Sequence, residues 1–314
     1  MKADARPRRL AVAVPVANLR RKPADAPLMN VHDDLQATQL LFNELLLLKD
    51  EEGGWFRVEA IEQQKSLGAG AWEGCPGWVR KRDIAEVESP EEYNGLVRSA
   101  FTVVVAGPSP LAARLFPLSL GTRLLLKGEA TKGFFQITLP HRSAGWVPKK
   151  DVARRGRIGH AAKRTGQELA GLARLFLGVP YFWGGRSMPL PWSRGPIMGV
   201  DCSGLVNLVF RAHDIDVPRD AHDQWTASRP TDAGRLSPGD LIFLSREGDP
   251  GIVNHVMLSL GGEQFIEASQ TGDIVRIRTF ADKFGLDLGR LAQQDFFTNR
   301  RKLYFGSIGA GSQE

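Results

Sequence analysis

Long apolar runs are missing from this chain of 314 residues. No stretch of about 18 consecutive apolar residues occurs, which excludes a conventional membrane-spanning helix. The first nine residues are charged but are not followed by the apolar stretch that a signal peptide needs. From these two absences we expect a cytoplasmic protein that does not bind membranes.

Cysteine is also rare, because Cys75 and Cys202 are the only two in the chain. In a cytoplasmic protein we expect them not to be bridged to each other. The six histidines are scattered and show no spacing typical of zinc ligands. The sequence therefore predicts neither a disulfide nor a metal site, and we expect no cofactor.

A strong charge of either sign is absent as well. The formal net charge of +6 is modest for this length and does not indicate nucleic-acid binding, which would need basic residues clustered on one face. A weakly basic balance suits a small anionic substrate. The length suggests two or three domains, and the 34 glycines and 19 prolines indicate many turns and short strands.

The first half of the chain contains an internal repeat. The pattern Gly-Trp-Val-x-Lys-x-Asp begins at Gly77 and again at Gly145. Short β-like runs precede each copy, at 10–16, 39–49 and 55–61 and then at 101–105, 122–127 and 134–139. Short strands with tight turns in each copy predict two small β-barrels, joined by a linker at 88–92.

The remainder, from about residue 156, has a mixed pattern. Apolar residues recur at helical spacing in 167–177 and again after Cys202. Four runs then read as strands separated by turns, at 240–244, 254–260, 264–268 and 274–278. Helices followed by a run of strands predict an α+β unit with an antiparallel sheet.

Cys202 has the sequence context of a catalytic nucleophile. It lies between Asp201 and Ser203, at the point where the helical pattern begins. A thiol in the first turn of a helix meets the positive end of the helix dipole, which favours the thiolate. A lone cysteine with a histidine downstream is a candidate nucleophile and base.

His255 is the candidate base, and Glu267 follows it by twelve residues. Strand alternation places Val253, His255 and Met257 on one face. A three-residue turn at 260–262 would pair His255 with Glu267, whereas a two-residue turn would send Glu267 to the other face. We predict the three-residue turn, with Glu267 fixing the imidazole tautomer and raising the pKa of His255.

Acyl transfer also needs hydrogen-bond donors at the developing oxyanion. The backbone N–H of Cys202 is one candidate donor. The hydroxyl of Tyr181, in an aromatic and glycine-rich segment that leads to Cys202, is another.

Several ordered motifs resemble the NlpC-type cysteine peptidases of bacterial cell-wall metabolism, which have a papain-like α+β catalytic domain. The motifs are Tyr-x-Trp-Gly-Gly at 181–185, Asp-Cys-Ser-Gly-Leu-Val at 201–206, Pro-Arg-Asp-Ala at 218–221, Pro-Gly-Asp-Leu-Ile-Phe at 238–243 and His-Val at 255–256. The Asn-Leu-Arg at 18–20 and the two Gly-Trp-Val strings resemble bacterial SH3-like domains. The resemblance implies two all-β SH3-like barrels at 1–92 and 93–156, followed by a papain-like peptidase domain at 157–314.

This combination resembles the γ-D-glutamyl-L-diamino acid endopeptidases, which cleave murein stem peptides bearing a free N-terminal L-Ala. The resemblance implies that Cys202 is the nucleophile, His255 the base and Tyr181 the oxyanion donor. It also implies that Asp201 and Ser203 bind the amine of the substrate. The position that orients the base falls at Glu267.

Three features depart from the family pattern. Glu267 occupies a position that usually holds histidine or an amide residue. The segment 186–200 is longer than usual and is a candidate lid or wall of the cleft. Cys75 stands where a tyrosine is expected, whereas Glu44 in the first SH3-like domain is expected to reach the cleft, as a glutamate does in similar enzymes.

The resulting hypothesis is a cysteine peptidase that cuts between γ-D-Glu and the L-diamino acid of imported murein peptides. Intact murein would be the target only if an N-terminal segment were missing from the sequence. One alternative is a catalytically inactive protein that binds cell-wall peptide or glycan. Another is an amidase or acyltransferase that uses the same acyl-enzyme.

Overall fold

The computed structural model describes residues 8–68, 70–87, 92–140, 143–155, 162–193, 195–293, 297–298 and 300–309. These residues form three successive units, two built from strands and one mixed. The predicted linker at 88–92, apart from Glu92, and the predicted start of the third segment near 156 lie outside these ranges. No helix within them is long and apolar enough to cross a membrane.

The first unit is a single antiparallel sheet of seven strands. The strands are β1 (Arg9–Val12), β2 (Val16–Arg20), β3 (Gln36–Leu41), β4 (Leu45–Glu52), β5 (Trp55–Gly68), β6 (Ala71–Arg80) and β7 (Ile84–Glu86). Their order is β3-β2-β6-β5-β4-β1-β7. The run predicted at 39–49 is divided between β3 and β4, because Asn43 adopts a left-handed φ of 67° and turns the chain.

The second unit has eight strands in two sheets. The strands are β8 (Gly95–Val97), β9 (Phe101–Val105), β10 (Arg114–Ser119), β11 (Arg123–Leu124), β12 (Leu126–Thr131), β13 (Phe134–Thr138), β14 (Ala144–Pro148) and β15 (Val152–Arg154). One sheet has the order β10-β9-β14-β13-β12 and the other the order β11-β8-β15.

The sequence repeat corresponds to a repeated piece of structure. The first copy ends β6, continues as a 3₁₀ turn over Lys81–Asp83 and enters β7. The second copy runs in the same way from β14 through a 3₁₀ turn over Lys149–Asp151 into β15. The same residues therefore form the same strand–turn–strand unit twice. Cys75, in β6, packs in the apolar core of the first unit.

The third unit packs helices against an antiparallel sheet. Its elements are α1 (Ala162–Arg174), α2 (Cys202–Arg211), α3 (Ala221–Ala227), β16 (Arg229–Thr231), β17 (Leu241–Arg246), β18 (Asp249–Gly261), β19 (Gln264–Glu267), β20 (Arg276–Thr279), α4 (Phe280–Phe284), α5 (Leu288–Leu291), β21 (Phe297–Thr298) and β22 (Arg301–Ser307). The sheet order is β16-β22-β17-β18-β19-β20, and β21 pairs with β22. The four strands predicted from the sequence correspond to β17, β18, β19 and β20.

Both faces of this sheet are covered by apolar side chains. On one face, Val256 and Leu258 of β18 pack with residues of α1 and α2. On the other face, Met257 and the neighbouring Phe265 of β19 pack with Phe280 of α4. This arrangement fixes α2 on one side of β18 and α4 on the other.

Candidate active site

Cys202 is the first residue of α2 and Asp201 is its N-cap. Asp201 Oδ1 accepts a hydrogen bond from the Gly204 N–H at 2.6 Å. A Cβ at position 204 would lie 2.1 Å from the Gly185 carbonyl oxygen, so only glycine lets the helix begin this close to the preceding loop. The Val256 N–H is close enough to the sulfur of Cys202 to lower the pKa of the thiol. Since Val256 directly follows His255 in β18, the tip of α2 lies against the strand that carries the candidate base.

The protonation state of Cys202 differs from the sequence prediction. Burial, followed by the charge of Asp201, raises the pKa of the thiol to about 12. The backbone amides of Val256 and Ser203, together with Arg219, lower this pKa, but their combined effect is smaller. The expectation that the helix dipole produces a resting thiolate was therefore wrong, because desolvation outweighs the dipole. The sulfur has to lose its proton during the attack.

His255 and Glu267 are in direct contact, although the predicted turn is wrong. His255 Nε2 and Glu267 Oε2 are 2.8 Å apart. In the observed register Ser259 faces Phe265 and Gly261 faces Gln264, with a bulge between the two pairs. Gly261 and Gly262 have φ values of 93° and 58°, which permit a tight turn after Gly261. His255 and Glu267 are therefore diagonal neighbours on one face instead of directly opposite partners.

The predicted alternation along β18 fails at its start. Val253 packs in the same apolar core as Val256, not on the face of His255 and Met257. The register against β17 shifts here, because Leu244 faces His255 while Ser245 faces Val253. This bulge turns the backbone next to the candidate base, as bulges near active sites commonly do.

Glu267 is completely buried and is bound by two side chains. Besides His255, Lys283 of α4 forms an ion pair with the same carboxylate oxygen, Oε2. The Arg278 guanidinium lies 4.0 Å from the other oxygen, Oε1, which accepts no hydrogen bond from the described residues. Burial alone would raise the pKa of Glu267, but the hydrogen bond with His255 and the charge of Lys283 lower it to about 2.

The pKa of His255 is lowered, opposite to the direction that we predicted from its carboxylate partner. Burial is the largest cause, and the positive charges of Lys283 and Arg301 add to it. The hydrogen bond and charge of Glu267 raise this pKa but are outweighed. His255 is therefore a neutral imidazole at neutral pH. Because Nε2 is bound to Glu267, Nδ1 is the ring nitrogen that this contact leaves for another partner.

Tyr181 lies beside the nucleophile in a loop held by backbone hydrogen bonds. It forms a bridge with Val200, two residues before Cys202. Its N–H donates to the Asp273 carbonyl at 2.8 Å, and its carbonyl accepts from Asn30 Nδ2 at 2.8 Å. Burial raises the pKa of Tyr181, and the negative charge that Cys202 carries once ionised and the charge of Asp201 raise it further. The phenol is therefore a stable hydrogen-bond donor at this position.

Asp201 and Ser203 are held by Arg219, a residue to which sequence analysis gave no role. Arg219 Nη2 donates to Asp201 Oδ2 at 2.7 Å, and Nη1 donates to Ser203 Oγ at 2.9 Å. Arg219 Nε donates to the Thr38 hydroxyl of the first unit at 2.6 Å. The Pro-Arg-Asp-Ala motif was the available signal, since a buried arginine needs acceptors.

Glu44 does not reach the cleft, which corrects the sequence prediction. Only 1% of its surface is exposed, and its carboxylate is bound by Arg186 and by Gln63 Nε2. Arg211 lies 3.7 Å away in the same cluster and binds Glu62 at 2.8 Å. Glu44 therefore belongs to a buried ion cluster between the first unit and the third.

The segment 186–200 is packed against the two strand-built units. Met188 N–H donates to Ser119 Oγ at 3.0 Å, and Gln39 Nε2 donates to the Ile197 carbonyl at 2.6 Å. The Arg114 guanidinium lies 4.9 Å from the centre of the Trp192 ring. The segment thus forms one wall of a groove of about 1190 Å³ between the two units.

Two further side chains were missed because no local spacing reveals them. Lys283 lies sixteen residues after Glu267, in a separate helix. His32, in the loop before β3, places its ring 4.3 Å from that of Trp183 beside Tyr181. Within the described ranges no group of three or more potential ligands could hold a metal ion, and both cysteines are free.

A half-buried cysteine at a helix start and a histidine on an adjacent strand are also what the sequence comparisons indicate. Residues 178–287 match the sequence model of the NlpC/P60 family. This part of the chain is an NlpC/P60 domain and belongs to that family of cysteine peptidases.

The similarity to known proteins extends beyond this domain. The chain is 27% identical over 274 residues to gamma-D-glutamyl-L-lysine dipeptidyl-peptidase of Bacillus subtilis, covering 84% of this chain and 82% of the relative. It is 27% identical over 244 residues to the protein of the same name from Bacillus cereus, covering 76% and 69%. A shorter match, 35% over 139 residues, is to peptidoglycan endopeptidase RipB of Mycobacterium tuberculosis, covering 43% and 52%.

A solved structure supports the fold over most of the chain. An NlpC/P60 family protein from Bacillus cereus superposes with a TM-score of 0.71 at 24% identity, covering 87% of this chain and 94% of the other. The third unit therefore has the papain-like NlpC/P60 fold, in a molecule that is mostly sheet with few helices.

Proposed function

We propose that this protein hydrolyses peptidoglycan stem peptides between γ-D-Glu and the L-diamino acid, with Cys202 as nucleophile. One arrangement supports this most directly. Cys202 lies next to the strand that carries His255 and Val256, and His255 Nε2 is 2.8 Å from Glu267 Oε2. The names of the relatives support the substrate class, since two are gamma-D-glutamyl-L-lysine dipeptidyl-peptidases.

In the proposed mechanism both reacting groups begin neutral. His255 Nδ1 takes the thiol proton as the sulfur of Cys202 attacks the γ-carbonyl carbon of the D-glutamyl residue. The Cys202 backbone N–H and the Tyr181 hydroxyl donate to the resulting oxyanion. The imidazolium then protonates the amine of the diamino acid, which leaves as the C–N bond breaks. Water attacks the thioester with His255 again as base, and the thiol is restored.

A free N-terminal L-Ala is a finer part of this proposal. Asp201 and Ser203 would hold the substrate amine beside the nucleophile. The bidentate contact from Arg219 orients Asp201 and balances its charge, so recognition would depend on hydrogen-bond geometry more than on net charge.

The two strand-built units are proposed to be SH3-like domains spanning 1–92 and 93–156, with the peptidase domain at 157–314. The repeated strand–turn–strand piece supports this assignment. The first unit supplies Thr38 to Arg219 and His32 to Trp183, and so contributes to the surroundings of the cleft. We propose that the enzyme acts in the cytoplasm on released peptides, which cell fractionation would test.

Mass spectrometry of defined peptides tests the function. L-Ala-γ-D-Glu-diaminopimelate should be cleaved into L-Ala-D-Glu and the diamino acid, and Cys202→Ala should abolish this while leaving the circular dichroism spectrum unchanged. Acetylating the N-terminal amine should suppress cleavage. Turnover by Cys202→Ala would refute the assigned nucleophile. A different cleaved bond or a transfer product would favour the amidase or acyltransferase alternative, and binding without any product would favour the inactive binding protein.

A further inference from the structure

The ion pair between Lys283 and Glu267 affects the candidate base, His255. This consequence rests on the proposed function, because it requires His255 to act as the base. We propose that Lys283 is a positioning residue: its ammonium binds the same Glu267 oxygen as His255 Nε2 and balances the carboxylate charge at the base. Glu267 can then orient the imidazole without stabilising its protonated form, the imidazolium, so strongly that it stays protonated.

The burial of Glu267 creates the need for a cation. The Glu267 side chain has no exposed surface, and an isolated buried carboxylate is strongly destabilising. A neutral imidazole supplies one hydrogen bond but no charge. Without Lys283, the carboxylate would be compensated only by the more distant Arg278, 4.0 Å from Oε1, and by protonation of His255 or of Glu267 itself. Either change would impair a base that must begin neutral, or the carboxylate that orients it.

The position of Lys283 is fixed by the fold. It lies in α4, which begins with a capping box between Thr279 and Asp282 and ends at Gly285 in the left-handed conformation. The Lys283 ammonium is 6.0 Å from the ring centre of Phe265 in β19. Since α4 packs on the face of the sheet that carries Glu267, the ammonium is directed to the carboxylate and away from bulk solvent.

Other charged and titratable groups lie on the elements that pack around β18 and β19. Besides Glu267 and Lys283, they are Arg278 in β20, Arg301 in β22, Cys202 at the start of α2, and His222 in α3, whose Nδ1 accepts from Val253 N–H at 3.3 Å. Among the cations, Lys283 is the one in an ion pair with Oε2, whereas Arg278 lies 4.0 Å from Oε1. Arg278 therefore provides a matched control of the same charge.

The pH profile of kcat/KM tests the proposal with Lys283→Gln, which can keep a hydrogen bond to Glu267 but not the charge. The acidic limb reports the base of the free enzyme. In Lys283→Gln we expect the acidic limb to move to higher pH by on the order of one unit. Activity at mildly acidic pH should then fall about tenfold, while activity at alkaline pH should change less. Lys283→Arg should restore the wild-type limb, and Arg278→Gln should shift it much less.

An unchanged acidic limb in Lys283→Gln, with a uniform loss of kcat, would overturn the proposal and leave only a structural role. If Lys283→Gln does not fold, the double variant with Glu267→Gln replaces it. Its limb should lie at higher pH than that of Glu267→Gln alone, because the single variant leaves the ammonium uncompensated beside His255. Coincident limbs of these two variants would also overturn the proposal.

A measurement without turnover separates this inference from the proposed function. In Cys202→Ala protein, the imidazole resonance of His255 can be titrated by NMR and assigned by its loss in a second variant, His255→Ala. Lys283→Gln should move the midpoint to higher pH even if no murein peptide is ever cleaved. An unmoved midpoint refutes the inference, whereas a moved midpoint without peptide cleavage refutes only the proposed substrate.

Discussion

Glu267 and Glu44 are both buried, both are bound by a cation, and both were predicted to lie at the site, yet only Glu267 does. Glu267 binds the imidazole of His255, a group that can gain or lose a proton, on the strand that α2 and Cys202 pack against. Glu44 binds Arg186 at the junction of two units, and this guanidinium stays charged at neutral pH although burial lowers its pKa to about 10. A buried carboxylate with a cation therefore does not by itself mark an active site. The presence of a titratable partner next to a reactive atom distinguishes the two regions.

The largest expected difference between the regions is in turnover. His255→Ala should lower kcat/KM by about 10²–10⁴, because it removes proton transfer. Glu267→Ala should cost less, since orientation is a weaker contribution than proton transfer. Steady-state assays on the tripeptide compare kcat/KM of these two variants. Glu44→Gln is the control, and its effect on kcat/KM should be small. Equal losses in His255→Ala and Glu267→Ala would mean that Glu267 does more than orient the base.

Glu44 should instead affect stability. Glu44→Ala leaves the completely buried Arg186 guanidinium without its carboxylate, and breaking a buried pair in this way costs about 3–5 kcal/mol. Urea denaturation followed by tryptophan fluorescence measures the loss. The paired variant Glu44→Met with Arg186→Met removes both charges and should recover much of it. A loss below about 1 kcal/mol for Glu44→Ala would contradict the buried-pair interpretation.

The third difference between the regions of Glu267 and Glu44 depends on pH and arises from the pKa of Glu267. Its folded pKa of about 2 lies below the ordinary value of 4.5, so ionised Glu267 stabilises the fold above pH 4.5 and this contribution is lost as pH falls toward 2. The part lost is on the order of 2 kcal/mol. The urea midpoint of wild type should therefore fall more steeply in this range than that of Glu267→Gln. Parallel curves would show that Glu267 is not ionised in the fold.

The smallest effect is expected where a carboxylate is paired but exposed. Glu129 binds Arg154 at 3.0 Å with 88% of its side chain exposed. Glu129→Ala should change the free energy of unfolding by about 0–1 kcal/mol. The same urea titration measures it. A loss as large as that of Glu44→Ala would show that burial is not what separates these pairs.

The part of the site that the sequence could predict depends on short-range spacing. Cys202 follows its N-cap, and Glu267 is one hairpin away from His255, so local patterns identified both. The turn was wrong because the bulge between Ser259 and Gly261 depends on the packing of the surrounding sheet. The direction of the pKa shifts was wrong because burial is a property of the assembled fold.

Residues that meet the site from distant segments could not be predicted in this way. Lys283 reaches Glu267 from a separate helix, and Thr38 reaches Arg219 across 181 residues of sequence. Glu44 was assigned to the cleft by resemblance alone, without a spacing argument of its own. The helices and strands themselves were more predictable, because their apolar periodicity is local.

The docking of the long β5–β6 hairpin limits how the catalytic unit can be used in isolation. Gln64 accepts from the Arg219 N–H at 3.0 Å, and Ser66 N–H donates to Asp223 at 3.1 Å. Removing the first unit would strip these contacts from the segment that orients Asp201, and would also take Glu44 from Arg186. The peptidase unit therefore cannot be moved alone into another protein, and any engineered fusion has to include the first unit as well.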